Sequence, residues 1–187
     1  MTRIVFFLEE PSAKEMLKGV LPKLLPEDVA IQFIVFEGKQ DLEKRLPIRL
    51  RAWLQPDVIF VVMRDQDSGN CVTIKQNLVI KCTDAGKPGT LVRIACHELE
   101  SFYLGDLNAV SQAIGPARIS RQQYKAKFRN PDTLSNPSQE LKKLAPEYQK
   151  VSGSRAIGPL LDIDNNRSNS FNALISGLRL IATNSLG

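Results

Sequence analysis

VVMRDQDSGN, residues 61–70, holds the reading that decides the fold. A run of apolar β-formers, Ile59 to Met63, ends abruptly in Arg64-Asp65-Gln66-Asp67 and then Ser68-Gly69-Asn70. A strand this uniformly apolar is buried on both faces, as in a parallel sheet covered by helices. Two carboxylates one residue apart at its carboxyl end have two readings. Asp, Ser, Gly and Asn are ordinary turn residues, so the stretch reads as a solvated turn. Alternatively, the two acids hold a cation at the edge of the sheet.

The flanking sequence supplies the sheet. TRIVFFLE (2–9) is a first buried strand, VAIQFIVFEG (29–38) a second, PDVIFVVMR (56–64) the third and TLVRIAC (90–96) a fourth. Helical spacing fills the intervals: PSAKEMLKGVLPKLL (11–25), KQDLEKRLPIRLRAWL (39–54) with an expected bend or interruption at Pro47, and a helix within 68–86 ending at Gly86. Residues 97–115 read as one or two helices with a break at Gly105, 138–151 as a short helix, and 170–182 as a final amphipathic helix. Strands alternating with helices of 10–15 residues imply βαβ units and a mainly parallel sheet. An α/β region over 1–115 is therefore expected, followed by a basic helical and loop extension over 116–187 packed on the same domain.

In an open parallel sheet, ligands bind beyond the carboxyl ends of the strands. The first strand ends at Glu9-Glu10, the third at Asp65 and Asp67, and the fourth runs into His97-Glu98-Leu99-Glu100. Three strands deliver carboxylates to one edge, and that coincidence outweighs any single pair. Clustered carboxylates repel one another and raise each other's proton affinity. A divalent cation relieves that cost, and oxygen donors select Mg²⁺, Mn²⁺ or Ca²⁺. Singly, each acid has a plainer reading: a turn for Asp65 and Asp67, a helix first turn for Glu9 and Glu10, a helix surface for Glu100.

Charge adds a partner. The 187-residue chain carries a net +5, and residues 116–155 hold nine Lys/Arg against three Asp/Glu. A basic segment beside an acidic cluster fits a polyanionic substrate, although a solvated helical face accounts for charge alone. Lys125, Lys127, Arg129, Lys142, Lys143 and Arg155 are the candidate nucleic-acid contacts. Lys150 is a candidate to stabilise charge on a scissile phosphate, with a surface cation as the plainer reading.

Other classes find little support. His97, the single histidine, reads as structural or as a ligand, and the cysteines Cys71, Cys82 and Cys96 have no zinc-site spacing. No P-loop and no Ser-His-Asp motif is present, and no apolar run reaches the length of a membrane span. Reduced thiols and an N-terminus without signal-peptide features suggest a cytoplasmic protein.

FLEEPSAKEML followed by VVMRDQDSGN resembles the Toprim domain shared by topoisomerases, primases and OLD-family nucleases. The chain is more similar still to small bacterial Toprim-like proteins related to RloB, through FEGKQDLEKRLPIRLRAW, RIACHELESFYLGD and NRSNSFNALISGLRL. The resemblance implies a Toprim-like (Rossmann-like) sheet and Mg²⁺- or Mn²⁺-dependent phosphodiester hydrolysis of DNA or RNA. It also implies an AAA-type ATPase partner in anti-phage defence, and leaves a homodimer open. Glu9 would ligate metal or act as general base, Asp65 and Asp67 would be ligands, and Glu98 or Glu100 would complete the site. Glu10 stands where the Toprim pattern has glycine, and could share the metal with Glu9. A non-catalytic adaptor or sensor subunit of an ATPase complex is the alternative function. D-x-D phosphatases, glycosyltransferases and receiver domains each match only part of the pattern.

Overall fold

The computed structural model describes residues 2–185. Four strands, β1 (Arg3–Leu8), β2 (Ala30–Val35), β3 (Val58–Asp65) and β4 (Leu91–Ala95), form one parallel sheet in the order β2-β1-β3-β4. The helices between them are α1 (Pro11–Val20), α2 (Lys39–Arg51) and α3 (Cys71–Asp84). This is the parallel α/β sheet expected from the apolar runs.

The period of a strand sends successive side chains to opposite faces. Ile4, Phe6 and Leu8 of β1 join Val61 and Met63 in one core cluster, with Met16, Leu17 and Val20 of α1. Val5 and Phe7 join Phe60 and Val62 in the other, with Leu42, Leu46 and Leu50 of α2 and Leu78 of α3. Each such buried side chain contributes roughly 1.5–3 kcal/mol relative to exposure. Continuous hydrophobicity, rather than alternation, is what a strand covered on both faces requires.

Chain order now fixes the place of any ligand. From β1 the chain moves to β2 on one side, then returns so that β3 pairs on β1's other side. The order therefore reverses between β1 and β3, and the crevice outside their carboxyl ends is the switch point. Leu8 pairs in register with Met63, so Glu9 leaves β1 level with Arg64, one residue short of Asp65.

Beyond β4 come α4 (Glu100–Leu104), α5 (Leu107–Ile114) and α6 (Arg118–Arg121), a series of single 3-10 turns, then α7 (Pro137–Leu144), α8 (Lys150–Ile157) and α9 (Asn169–Ser185). Tyr148, Ile157, Leu161, Phe171, Leu174 and Leu178 from this region share the α1 cluster. The chain breaks at Gly105 between α4 and α5, as expected, and the position requires glycine, because a Cβ there would stand 2.0 Å from the Asn166 Oδ1.

Three boundaries differ from expectation. Helix α1 stops at Val20, since Pro22 cannot supply the next helical N–H. Helix α2 runs without interruption through Pro47. The helix expected over 138–151 is two helices, parted at Ala145-Pro146, and the second of them begins at Lys150.

Candidate active site

Glu9 and Asp65 meet at the switch point. The Asp65 backbone N–H donates to the Glu9 Oε2 at 3.0 Å, tying the end of β3 to the residue after β1. Burial raises the Glu9 carboxyl above its ordinary pKa; the Asp65 N–H and Arg64 oppose that, and Asp67 and Glu10 add to it. Asp65 is itself buried. Burial first, then Glu10, Glu9 and Glu100, push its carboxyl well above the usual range, against one backbone donor from Leu99. Carboxylates from the β1–α1 joint and from α4 thus act together on Asp65 at the end of β3.

Glu10 is in extended backbone as the residue before α1, so its position does not demand glycine. Its side chain accepts from the Ser12 Oγ at 2.5 Å and lies 3.4 Å from the Lys150 Nζ. Lys150 reaches it because α8 packs against α1 and carries Lys150 at its first residue. Burial works to lower the Lys150 pKa, but Glu100, Glu10 and Asp65 together raise it. Lys150 is held charged over the acids.

Glu98 and Glu100 separate in the structure. The Glu98 Oε2 accepts from the Ser138 N–H at 2.7 Å, in the first turn of α7. Glu100 is fully buried, and its Oε1 accepts from the Tyr148 hydroxyl at 2.9 Å. Its Oε2 has no hydrogen-bond partner. Burial raises the Glu100 carboxyl, with Lys150 and Tyr148 pulling the other way. Tyr148→Phe would remove the one side-chain donor to this carboxyl, at an expected cost of about 1–3 kcal/mol. A lowered melting temperature with unchanged secondary structure checks this, and an unaltered melt contradicts it.

Asp67 stands further out. It accepts from the Lys39 Nζ at 2.6 Å and lies 3.8 Å from Arg64. Asp67 and His97 both have positive φ, 55° and 58°. That conformation is uncommon for side chains other than Gly and concentrates at functional sites. The two loops clasp each other: the Asp67 N–H donates to the His97 carbonyl at 2.7 Å, and the His97 N–H donates to the Gln66 Oε1 at 3.1 Å. His97 Nδ1 lies 3.2 Å from the Asp67 carbonyl. The histidine holds the D-x-D loop in shape.

Arg64 and Lys39 are the contributions that sequence reasoning missed. Arg64 is buried; its Nε donates to the Asp65 carbonyl at 2.8 Å, it ion-pairs with Glu43, and it lies 3.9 Å from Glu9. An arginine inside so apolar a strand requires buried carboxylate partners, and that was the available signal.

The acids Glu9, Glu10, Glu43, Asp65, Asp67 and Glu100 outnumber the cations Lys39, Arg64 and Lys150 around this edge. Burial first, and the neighbouring acids second, raise the Glu9 and Asp65 carboxyls, and one oxygen of the buried Glu100 carboxyl has no hydrogen-bond partner. A hard divalent cation fits the donor set. As the side chains stand, no group of three or more His, Cys, Asp or Glu among the described residues is arranged to hold an ion.

The expected nucleic-acid contacts divide. Lys127 and Lys143 both pair with Glu140, and Arg155 donates to Glu15 at 2.6 Å. Those pairings hold the Glu140 and Glu15 carboxyls below their usual range. Lys125, Arg129 and Lys142 are exposed and make no ion pair among the described residues.

Residues 8–179 match the family described as a domain of unknown function, DUF4276. Among solved structures, the chain is similar to the C-terminal region of the Burkholderia pseudomallei OLD protein. The TM-score is 0.52 at 15% identity, over 97% of this chain and 99% of that one. This likeness is one of fold, and it bears out the Toprim-like architecture. No curated protein matches the chain. Among the described residues, no helix is long and apolar enough to cross a membrane.

Proposed function

We propose that this chain, which belongs to the DUF4276 family, is a Mg²⁺- or Mn²⁺-dependent nuclease hydrolysing phosphodiesters of DNA or RNA. The observation that carries the reading is the convergence of Glu9, Asp65 and Glu100 at the switch point, with Lys150 held charged above them. When bound, the cation would polarise the phosphate and make a water a better nucleophile. Glu9, Asp65 and Asp67 would hold it, with Glu100 completing the set in preference to Glu98, which is engaged at α7. The Lys150 Nζ would offset negative charge growing on the scissile phosphate. If Glu9 does not ligate the cation, it would instead act as the general base that takes a proton from the attacking group. An AAA-type ATPase partner, a role in bacterial defence and a cytoplasmic setting belong to the same proposal and rest on resemblance.

One observation favours a second reading, the non-catalytic adaptor of an ATPase complex. Lys39, Arg64 and Lys150 already neutralise part of the acid cluster, and an adaptor would keep them there. Incubation of the wild type with supercoiled plasmid and with single-stranded RNA, in Mg²⁺, Mn²⁺ or EDTA, tests the nuclease. Metal-dependent cleavage lost in Asp65→Asn supports it. Cleavage that persists in EDTA, or in Asp65→Asn, contradicts it.

A further inference from the structure

A cavity of about 430 Å³ opens at the far end of α4 from Glu100, and it contains none of the acids described above. Its walls include Asp106, Asn108, Arg121, Tyr124, Asn165 and Arg167. Asp106 is turned to the backbone: its Oδ1 accepts from the Ala109 N–H at 3.0 Å and its Oδ2 from the Asp162 N–H at 2.8 Å. The two arginines are less engaged. The Arg167 Nη1 donates to the Gln123 carbonyl at 2.6 Å, leaving the rest of a five-donor fork. Arg121 is exposed and makes no hydrogen bond or ion pair among the described residues. Tyr124 is 80% exposed, a large aromatic ring left in water beside these cations.

We infer that this cavity binds one unpaired nucleotide of a nucleic-acid strand. Guanidinium groups match phosphate oxygens in planar, paired geometry. An exposed aromatic ring offers a stacking face to any base. The Asn108 and Asn165 amides supply both donors and acceptors for a base or sugar edge. Helix α4 is buried along its five residues and rises roughly 7–8 Å from Glu100 to Gly105, so the cavity and the acidic edge lie at its opposite ends. Lys125 and Arg129, both exposed, follow Tyr124 along the same segment and would track the backbone further. The assignment rests on the nucleic-acid part of the proposed function and is independent of the metal.

Fluorescence anisotropy with a short fluorescein-labelled oligodeoxythymidine, in EDTA, tests it. The wild type is expected to bind this single strand more tightly than the matching duplex. Tyr124→Ala and Arg121→Ala should each weaken binding by about tenfold, while Tyr124→Phe stays within about twofold. Arg121→Ala should also lower the salt slope by about one. Both positions are exposed, so unchanged melting curves will show the variants folded. No strand binding by the wild type, equal binding by the alanine variants, or equal losses in Tyr124→Phe and Tyr124→Ala would overturn the assignment. Adenosine monophosphate competing as tightly as the strand would also overturn it, in favour of a free-nucleotide site. Cleavage in Mn²⁺ is scored in parallel. Strand binding without cleavage counts against the nuclease and upholds the cavity, whereas cleavage with unchanged KM in both alanine variants counts against the cavity alone.

Discussion

Asp65→Asn is expected to raise the stability of the metal-free protein while abolishing metal-dependent cleavage. Asparagine keeps an acceptor for the Leu99 N–H but removes a buried charge that faces Glu9 and Glu10 at the β1–α1 joint and Glu100 on α4. The counter-charges nearby are Arg64 on β3 and Lys150 on α8, and they do not offset the burial. The gain should appear as a higher melting temperature at alkaline pH, where the wild-type carboxyl has to lose its proton. Loss of a metal ligand should cost at least about a thousandfold in cleavage, equivalent to several kcal/mol.

The pH dependence has a definite sign. Because the folded state raises the Asp65, Glu9 and Glu100 carboxyls, it holds their protons more tightly than the unfolded chain. Their protonated forms stabilise fully below the ordinary carboxylate range, and that stability is lost as pH rises through the raised values. As pH rises above the ordinary carboxylate range, the wild-type melting temperature should therefore fall by more than that of Asp65→Asn. Parallel profiles for the two proteins would contradict the prediction.

Lys150→Ala is the second large effect, and it acts on turnover rather than on metal affinity. Lys150 touches Glu10 at 3.4 Å and is half exposed, so its removal opens no core cavity. It leaves Glu100, Glu10 and Asp65 with less compensating charge, which should keep or strengthen divalent-cation binding. Loss of a preorganised charge at the phosphate should lower kcat by about 10²–10³-fold with little change in KM. Metal titration beside steady-state kinetics checks the split. A KM effect alone would make Lys150 a binding residue, and equal loss of metal affinity would make it structural.

Much of this site was legible because a buried parallel strand advertises its own end. In FLEE and VVMRDQD the apolar run stops where the carboxylates begin, so Glu9, Asp65 and Asp67 could be placed at one edge. The choice between Glu98 and Glu100 was not legible, since both follow β4 in an irregular stretch before α4. Only packing sends one to the α7 amide and the other into the interior. Lys150 was named, but its route was hidden: the break at Ala145-Pro146 puts it at the head of α8, and α8 lies on α1. The summed charge of the basic segment hid how its cations are partnered. Counting charges could not show that Lys127, Lys143 and Arg155 are paired with Glu140 and Glu15, whereas Arg121 and Arg167 line a cavity.

Calorimetric titration of Mn²⁺ into the wild type, Glu9→Gln and Asp67→Asn tests the central claim most directly. Saturable binding by the wild type, weakened at least about tenfold in both variants, is the predicted result. It would make the acids of the first and third strands one cation site. No binding, or equal binding by all three proteins, would contradict the account: the carboxylates would then serve only as partners of Lys39, Arg64 and Lys150.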